Sequence, residues 1–251
     1  MFINLISKYF IEKNLPDYYN IKIRDCVSST NTILKEKALK GEAEFTVLIA
    51  RRQTAGRGRL GKTFHSPKNS GIYMSVLLKP IESNPLLITT DTAVVLSRVF
   101  EKLTGESAGI KWVNDIYIKN RKVCGILAER VENSIVLGIG INIYEPKHGF
   151  PDDIKDRAGA LFVKKQKGIF DKIIIEVLSE LAETYHNPDR EKLLEEYKNR
   201  SIVVGKKITV IKNGNEEPAK ALSIADNYSL VIEKENGEIE EISTGDISIK
   251  L

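Results

Sequence analysis

Residues 56–71 read Gly56-Arg57-Gly58-Arg59-Leu60-Gly61-Lys62-Thr63, then Phe64-His65-Ser66-Pro67-Lys68-Asn69-Ser70-Gly71, and the conflict between the two halves decides the fold. The first half satisfies two phosphate-loop patterns at once, G-x-G-x-x-G and G-x-x-x-x-G-K-[ST]. In both settings the glycines leave a strand and open a helix whose N-terminus faces the phosphate. The second half, with Pro67, Asn69 and Gly71, has a loop composition that starts no helix. Both literal matches are rejected, and a Rossmann or P-loop architecture with them. The anion-binding character survives. Closely spaced glycines let several N–H groups turn toward one point, and Arg57, Arg59 and Lys62 add positive charge beside them. A solvated basic turn is the plain alternative.

Upstream, residues 45–50 are a short apolar, β-branched run that delivers the chain into this loop as a strand. Ser28-Ser29-Thr30-Asn31 offers a helix cap, with Leu34 and Ala38 on one face and Gly41 as the stop. Residues 18–26 alternate as a strand, and residues 1–20 hold a short amphipathic helix ending near Asn14-Leu15-Pro16. Downstream, residues 72–79 read as a strand closed by Pro80. Residues 91–103 carry Ala93, Val94, Leu96, Val99, Phe100 and Leu103 at helical spacing. Residues 110–118, 122–131 and 134–143 then form three successive strands joined by Lys119-Asn120-Arg121 and Glu132-Asn133. A meander with helices elsewhere is an α+β pattern, a mixed or antiparallel sheet with flanking helices. Residues 144–165 read as a loop with a short helical turn, and residues 169–185 and 188–200 as helices. Beyond them, short strands split by Asn213-Gly214, Asp226-Asn227, Asn236-Gly237 and Gly245-Asp246 predict a small β-barrel. Two domains are expected, over residues 1–200 and 201–251.

The 251 residues carry a net charge of +4, with 38 basic residues nearly matched by 34 acidic ones, too weak a bias to argue for nucleic-acid binding. Cys26 and Cys124 have neither disulfide-framework nor zinc-site spacing, which fits a reducing cytosol. Lys8, Glu12 and Lys13 interrupt the apolar start that a signal peptide would need, and no run approaches the ~20 apolar residues of a membrane span. A cytoplasmic protein is expected.

Four segments carry chemistry. Ser29, Thr30 and Asn31 place short polar groups at a helix N-terminus, suited to a small polar ring or a carboxylate, or to capping alone. Gln53 stands before the glycine loop and can add one hydrogen bond, although loop glutamines are commonly inert. In Lys111-Trp112-Val113-Asn114-Asp115-Ile116-Tyr117, strand alternation puts Lys111, Val113 and Asp115 on one face and Trp112, Asn114 and Ile116 on the other. A strand lysine on a covered sheet points to a charge held in a site; an edge lysine is the alternative. Gly138-Ile139-Gly140-Ile141-Asn142 sets two glycines in an apolar strand, marking a close approach or a bulge.

Together these segments resemble the biotin protein ligases. Ser29-Thr30-Asn31, the stretch from Gln53 through Gly56-Arg57-Gly58-Arg59 to Lys62, Lys111-Trp112 with Asn114-Asp115, Gly125-Ile126-Leu127 and the 138–142 segment stand in that family's order and spacing. Phe150-Pro151 and Asp156-Arg157-Ala158 extend the likeness. The sequence departs from the pattern at Val113 (usually proline), Phe64 (usually tryptophan) and Lys62 (usually arginine); Lys62 cannot make arginine's bidentate contact.

The resemblance implies a class II synthetase-like catalytic domain followed by an SH3-like barrel. It implies ATP-dependent activation of biotin to biotinyl-5′-AMP with Mg²⁺, then transfer to a lysine of a biotin carboxyl carrier protein or domain. Lys111 would serve the carboxylate and bridging phosphoryl oxygens, and Arg57 with Arg59 would hold the adenylate. Ser29, Thr30 and Gln53 would orient the biotin ring, with Asn31, Gly58, Gly125, Gly138 and Gly140 around it. Gly56, Lys62, Asn114 and Asn142 would complete the ATP site, Asn142 at the adenine edge. No carboxylate cluster points to the Mg²⁺ ligands. A homodimer is expected, without nucleic-acid or membrane partners. With 28 residues before Ser29, a winged-helix DNA-binding module of ~60 residues is not expected either. The rivals are a lipoate or octanoyl transferase of the same fold, and a nucleic-acid-binding protein using the Gly-Arg loop, for which Phe64 and Tyr73 are the stacking residues at hand.

Overall fold

A computed structural model of the chain describes residues 6–80, 84–212, 215–243 and 246–248. Seven strands form the larger sheet: β1 (Asn20–Arg24), β2 (Thr46–Ala50), β3 (Gly71–Leu78), β4 (Gly109–Lys111), β5 (Asp115–Ile118), β6 (Arg121–Val131) and β7 (Ser134–Asn142). Their order is β1-β2-β3-β7-β6-β5-β4; β1 runs parallel to β2 and the other neighbours are antiparallel. The mixed sheet expected of an α+β chain is present.

Successive side chains of a strand point to opposite faces, and this parity separates core from site. Val76 and Leu78 of β3, Leu137 and Ile139 of β7 and Cys124 and Ile126 of β6 enter the main core. There they meet α3 (Pro85–Thr104), on which α4 (Ile169–His186) packs. The alternate residues fall into cross-strand rows Tyr73–Gly140–Gly125, Ser75–Gly138–Leu127 and Leu77–Val136–Glu129. One end of this second face is covered by α2 (Thr30–Ala38), where Leu34 packs with Leu77, Val131 and Val136.

Helix α3 starts at Pro85, capped by Asn84, earlier than the expected residue 91. Thr89, Thr90 and Thr92 read poorly as helix because their hydroxyls compete for backbone groups. Here they turn that competition inward, donating to the carbonyls of Pro85, Leu86 and Ile88 at 2.7, 3.1 and 2.5 Å. The N-terminal helix is shorter than expected, α1 (Lys8–Lys13), capped by Ser7. The first five residues, the Asn213-Gly214 turn and Gly245 lie outside the described residues.

The expected strand over residues 110–118 is two strands. β4 and β5 pair as a hairpin with Lys111 opposite Asp115, and Trp112, Val113 and Asn114 make the turn, its Trp112–Val113 peptide cis. The expected alternation is therefore wrong: Trp112 and Val113 are both buried, while Lys111, Asn114 and Asp115 all border one cavity. Distant groups hold the turn. Trp112 Nε1 donates to the Tyr228 carbonyl at 2.9 Å, and the Tyr197 hydroxyl to the Val113 carbonyl at 3.1 Å.

Tyr197 lies on α5 (Arg190–Asn199). The chain leaving α5 runs along β4, where Ile110 donates to the Arg200 carbonyl and accepts from the Ile202 amide. Beyond it, β8 (Lys207–Lys212), β9 (Asn215–Ile224), β10 (Leu230–Lys234), β11 (Ile239–Ile242) and β12 (Asp246–Ser248) form an antiparallel sheet in the order β11-β10-β9-β8-β12. Its Ile208, Val210, Ala221 and Leu230 belong to the same hydrophobic cluster as the larger sheet.

Tyr197→Phe leaves the buried Val113 carbonyl without its donor, at a cost of about 1–3 kcal/mol. The expected result is a lower urea midpoint with an unchanged slope; an unshifted midpoint would show that the hydroxyl does not hold the turn.

Candidate active site

A cavity of about 770 Å³ opens on the glycine-bearing face of the larger sheet. Its floor is Gly125, Gly138 and Gly140. One wall is the start of α2 with Gln53, a second is the 54–66 loop, and a third is the β4–β5 hairpin. Ser29, Thr30, Asn31, Gln53, Gly56, Arg57, Gly58, Arg59, Lys62, Lys111, Asn114, Gly125, Gly138, Gly140 and Asn142 all line it. Segments separated by more than a hundred residues thus converge on one space, with Arg57, Arg59 and Lys111 sharing it.

Gly138 and Gly140 sit in continuous register with both neighbouring strands and no bulge, so close approach is their reason. A Cβ at Gly138 would collide with Asn31 Oδ1, and one at Gly140 would lie 2.6 Å from the Phe64 ring. The neighbours are the protein's own side chains, and they leave room for each other only over bare backbone.

Asn31 is 4% exposed and fully bonded. Its amide nitrogen donates to the Leu127 carbonyl at 3.2 Å and to Glu129 Oε2 at 3.0 Å, and its oxygen accepts from the Ser75 hydroxyl at 2.5 Å. The Ser75 hydroxyl also lies 2.7 Å from Thr30 Oγ1. Gln53 Oε1 accepts from the Thr30 amide at 2.8 Å, and Gln53 Nε2 donates to Ser66 Oγ at 3.0 Å. Ser29 caps α2, accepting from the Thr32 amide. These residues therefore cap the helix and line the cavity at once, and Gln53 is a structural tie between α2 and the loop.

Part of the glycine loop's backbone is spent on closing the loop. Gly58 and Phe64 amides donate to the Lys62 and Gly56 carbonyls at 2.7 and 2.9 Å, and the Lys62 amide to the Arg59 carbonyl at 3.0 Å. The loop closes on itself through Gly61, at φ +74°, which suits a glycine. The Arg57, Arg59 and Lys62 side chains add positive charge beside it. Arg59 donates to Asn114 Oδ1 at 3.1 Å, joining the loop to the Lys111 hairpin. Lys122 pairs with Asp115 at 2.7 Å, and Asn142 donates to the Gly159 carbonyl at 3.0 Å. Across the mouth stand Phe150, Pro151, Asp153 and Arg157. Burial lowers the His65 pKa against the opposing pull of Asp153.

Glu129 was not among the residues singled out from the sequence. Its Oε1 accepts from Arg57 Nη2 at 3.1 Å and from Lys35 Nζ at 2.9 Å, while Oε2 accepts from Asn31. Burial opposes its ionisation, but the hydrogen bonds from Asn31 and Lys35 and the charges of Lys35 and Arg57 outweigh that and hold its pKa below the ordinary range. Parity is the signal that could have found it: Gly125, Leu127 and Glu129 are alternate residues of one strand, and a carboxylate on a site-facing parity calls for partners. Ser75 follows the same rule from β3.

Three cations beside a polar cradle define a site that brings two anionic reactants together, the requirement of an acyl-activating ligase. A family model described as the biotin/lipoate A/B protein ligase family matches residues 23–144. A bifunctional ligase/repressor BirA of Bacillus spizizenii is 33% identical over 241 residues, covering 90% of this chain and 73% of that protein. A biotin–[acetyl-CoA-carboxylase] ligase of Mycobacterium tuberculosis is 28% identical, covering 87% and 85%. The solved biotin protein ligase of Aquifex aeolicus in complex with biotin and ATP superposes with a TM-score of 0.75 at 28% identity, covering 91% of this chain and 97% of that one. The chain belongs to the biotin/lipoate A/B protein ligase family.

Gly138→Ala sets a methyl against an amide that is bonded on every side, so Asn31 must be displaced, at a cost of about 1–3 kcal/mol. Thermal unfolding should report that loss together with weakened ligand binding; an alanine variant of full stability would show that Asn31 moves freely.

Proposed function

We propose that this chain is a biotin–[acetyl-CoA-carboxylase] ligase. It activates biotin with ATP to biotinyl-5′-AMP and transfers biotin to a lysine of a biotin carboxyl carrier protein or domain. The observation that carries this reading is the convergence of Arg57, Arg59 and Lys111 with the Ser29–Thr30–Gln53 cradle on one cavity. Two negatively charged reactants repel in water, and fixed cations offset that repulsion as the reacting atoms meet.

In the first step a carboxylate oxygen of biotin attacks the α-phosphorus of ATP, and the bond to the bridging oxygen breaks to release pyrophosphate. Lys111 neutralises the carboxylate and the bridging phosphoryl oxygens, while Arg57 and Arg59 hold the adenylate. Ser29 and Thr30 orient the ring of biotin, and Asn142 meets the adenine edge. In the second step the carrier lysine, as its free amine, attacks the acyl carbon and AMP leaves with the electron pair. Mg²⁺ would be held chiefly by phosphate oxygens and water, since no three His, Cys, Asp or Glu side chains converge among the described residues. The mixed anhydride must be shielded from water, which falls to the 54–66 loop and the 144–157 segment facing it.

We assign the catalytic part to residues 1–200 and an SH3-like barrel to 201–251, a division supported by the change from helix to short antiparallel strands after Asn199. The assembly to be tested is a homodimer, and sedimentation velocity reads it directly. Among the described residues no helix is long and apolar enough to cross a membrane.

The deciding assay is biotin-dependent exchange of labelled pyrophosphate into ATP. Lys111→Ala should lower it by about 10²–10³-fold, the scale for losing one preorganised charge donor in a reaction site. Near-normal exchange in that variant would remove Lys111 from the mechanism. Arg57→Gly should still form the adenylate but release it about 10–100-fold faster, the loss of one or two charge-assisted hydrogen bonds. Rapid filtration of the enzyme-bound adenylate gives the rate, and unchanged retention would contradict the role given to Arg57.

A further inference from the structure

The Arg57 side chain lines the cavity, yet its guanidinium is tied to a group outside the lining. That group is Glu129, on the interior strand β6, with side-chain exposure of 16% against 48% for Arg57. An exposed arginine on a loop has many rotamers, and ordering it costs conformational entropy at the moment a ligand binds. A carboxylate on a sheet strand, itself fixed by Lys35 and Asn31, removes that cost beforehand. Because those two further bonds hold Glu129 in place independently of the loop, the strand dictates where the arginine sits.

We infer that Glu129 is a positioning residue of this enzyme, which presets Arg57, and through it the 54–66 loop, for retention of the adenylate. The inference rests on the function proposed above. Two effects of removing the carboxylate have opposite signs. Deleting a negative charge near an anion-binding cavity strengthens attraction to the adenylate. Freeing Arg57 weakens retention because the guanidinium no longer starts in place. The deleted charge lies outside the cavity lining, whereas the geometric loss acts on an arginine that lines it, so the second effect wins.

The test compares adenylate release from Glu129→Gln, Lys35→Met, Arg57→Gly and the E129Q/R57G double variant, with biotin affinity measured alongside. The amide oxygen introduced by E129Q can still accept from Asn31. That variant should therefore bind biotin within about twofold of the parent while releasing the adenylate on the order of tenfold faster, the scale of one charge-assisted hydrogen bond. K35M removes one of the two bonds that fix Glu129 but keeps the Glu129–Arg57 pair, so it should speed release less than E129Q does. The double variant should release no faster than R57G alone, because a residue acting through Arg57 has no effect once Arg57 is gone. Slower or unchanged release in E129Q, equal effects of K35M and E129Q, or additive effects in the double variant would each overturn the inference. Should E129Q fail to melt cooperatively, Glu129→Asp, which keeps the charge one methylene shorter, should give an intermediate release rate, and a parental rate would count against positioning. Loss of biotin-dependent exchange in the parent would remove the proposed function itself; intact exchange with unmoved release removes only the role of Glu129.

Discussion

Asn31 lies against the bare backbone of Gly138, and much of the site depends on that contact. The amide can reach Leu127, Glu129 and Ser75 together because position 138 has no Cβ. Leu127 and Glu129 belong to β6 and Ser75 to β3, so a single buried side chain locks α2 to two strands of the floor. Buried polar groups are stable when every donor and acceptor is matched, and costly when one is left over. The arrangement is therefore stiff, and it fixes the end of the cavity where Ser29 and Thr30 stand.

From that end the polar connections run outward to the loop by two routes. One passes from Thr30 through Gln53 to Ser66, at the loop's far stem. The other passes from Asn31 through Glu129 to Arg57, on its near strand. The loop gains its relation to the cavity from these side-chain ties. A separate tie, Arg59 to Asn114, connects the loop to the Lys111 hairpin, so cations from two remote segments are held in one frame. Electrostatic stabilisation of a reaction depends on such fixed positions, because charges that must reorganise during the step lose much of their effect.

The hairpin itself is supported from behind by the C-terminal part of the chain. Tyr228 and Tyr197 supply a carbonyl and a hydroxyl to the turn that follows Lys111, and their ring centroids lie 5.4 Å apart. The small sheet and α5 are thus part of the scaffold of the site while lying outside its lining. One hydrophobic cluster runs through both sheets, which is the packing counterpart of the same dependence.

Most of the strands and helices were legible because their signals are local. Apolar runs bounded by turn residues marked the strands around 46–50, 71–78, 121–131 and 134–142, and the 3.6-residue period marked α4. The candidate residues were legible because glycine, arginine and lysine at unusual positions have few structural reasons to be there. What escaped had a non-local cause. Residues 110–118 carry strand alternation, yet the turn at Trp112–Asn114 is set by Tyr197 and Tyr228, far along the chain. The threonines at the start of α3 read as poor helix, and burial made their inward hydrogen bonds the favourable choice. Glu129 looked like one more charge on a long strand. The sequence by itself determined the candidate residues and the α+β plan, since periodicity and residue type act over a few neighbours. Only the tertiary structure decided which of them meet, that Asn31 is fully committed to the scaffold and that Arg57 is held by Glu129, because hydrogen-bond partners across a sheet are chosen by register and packing.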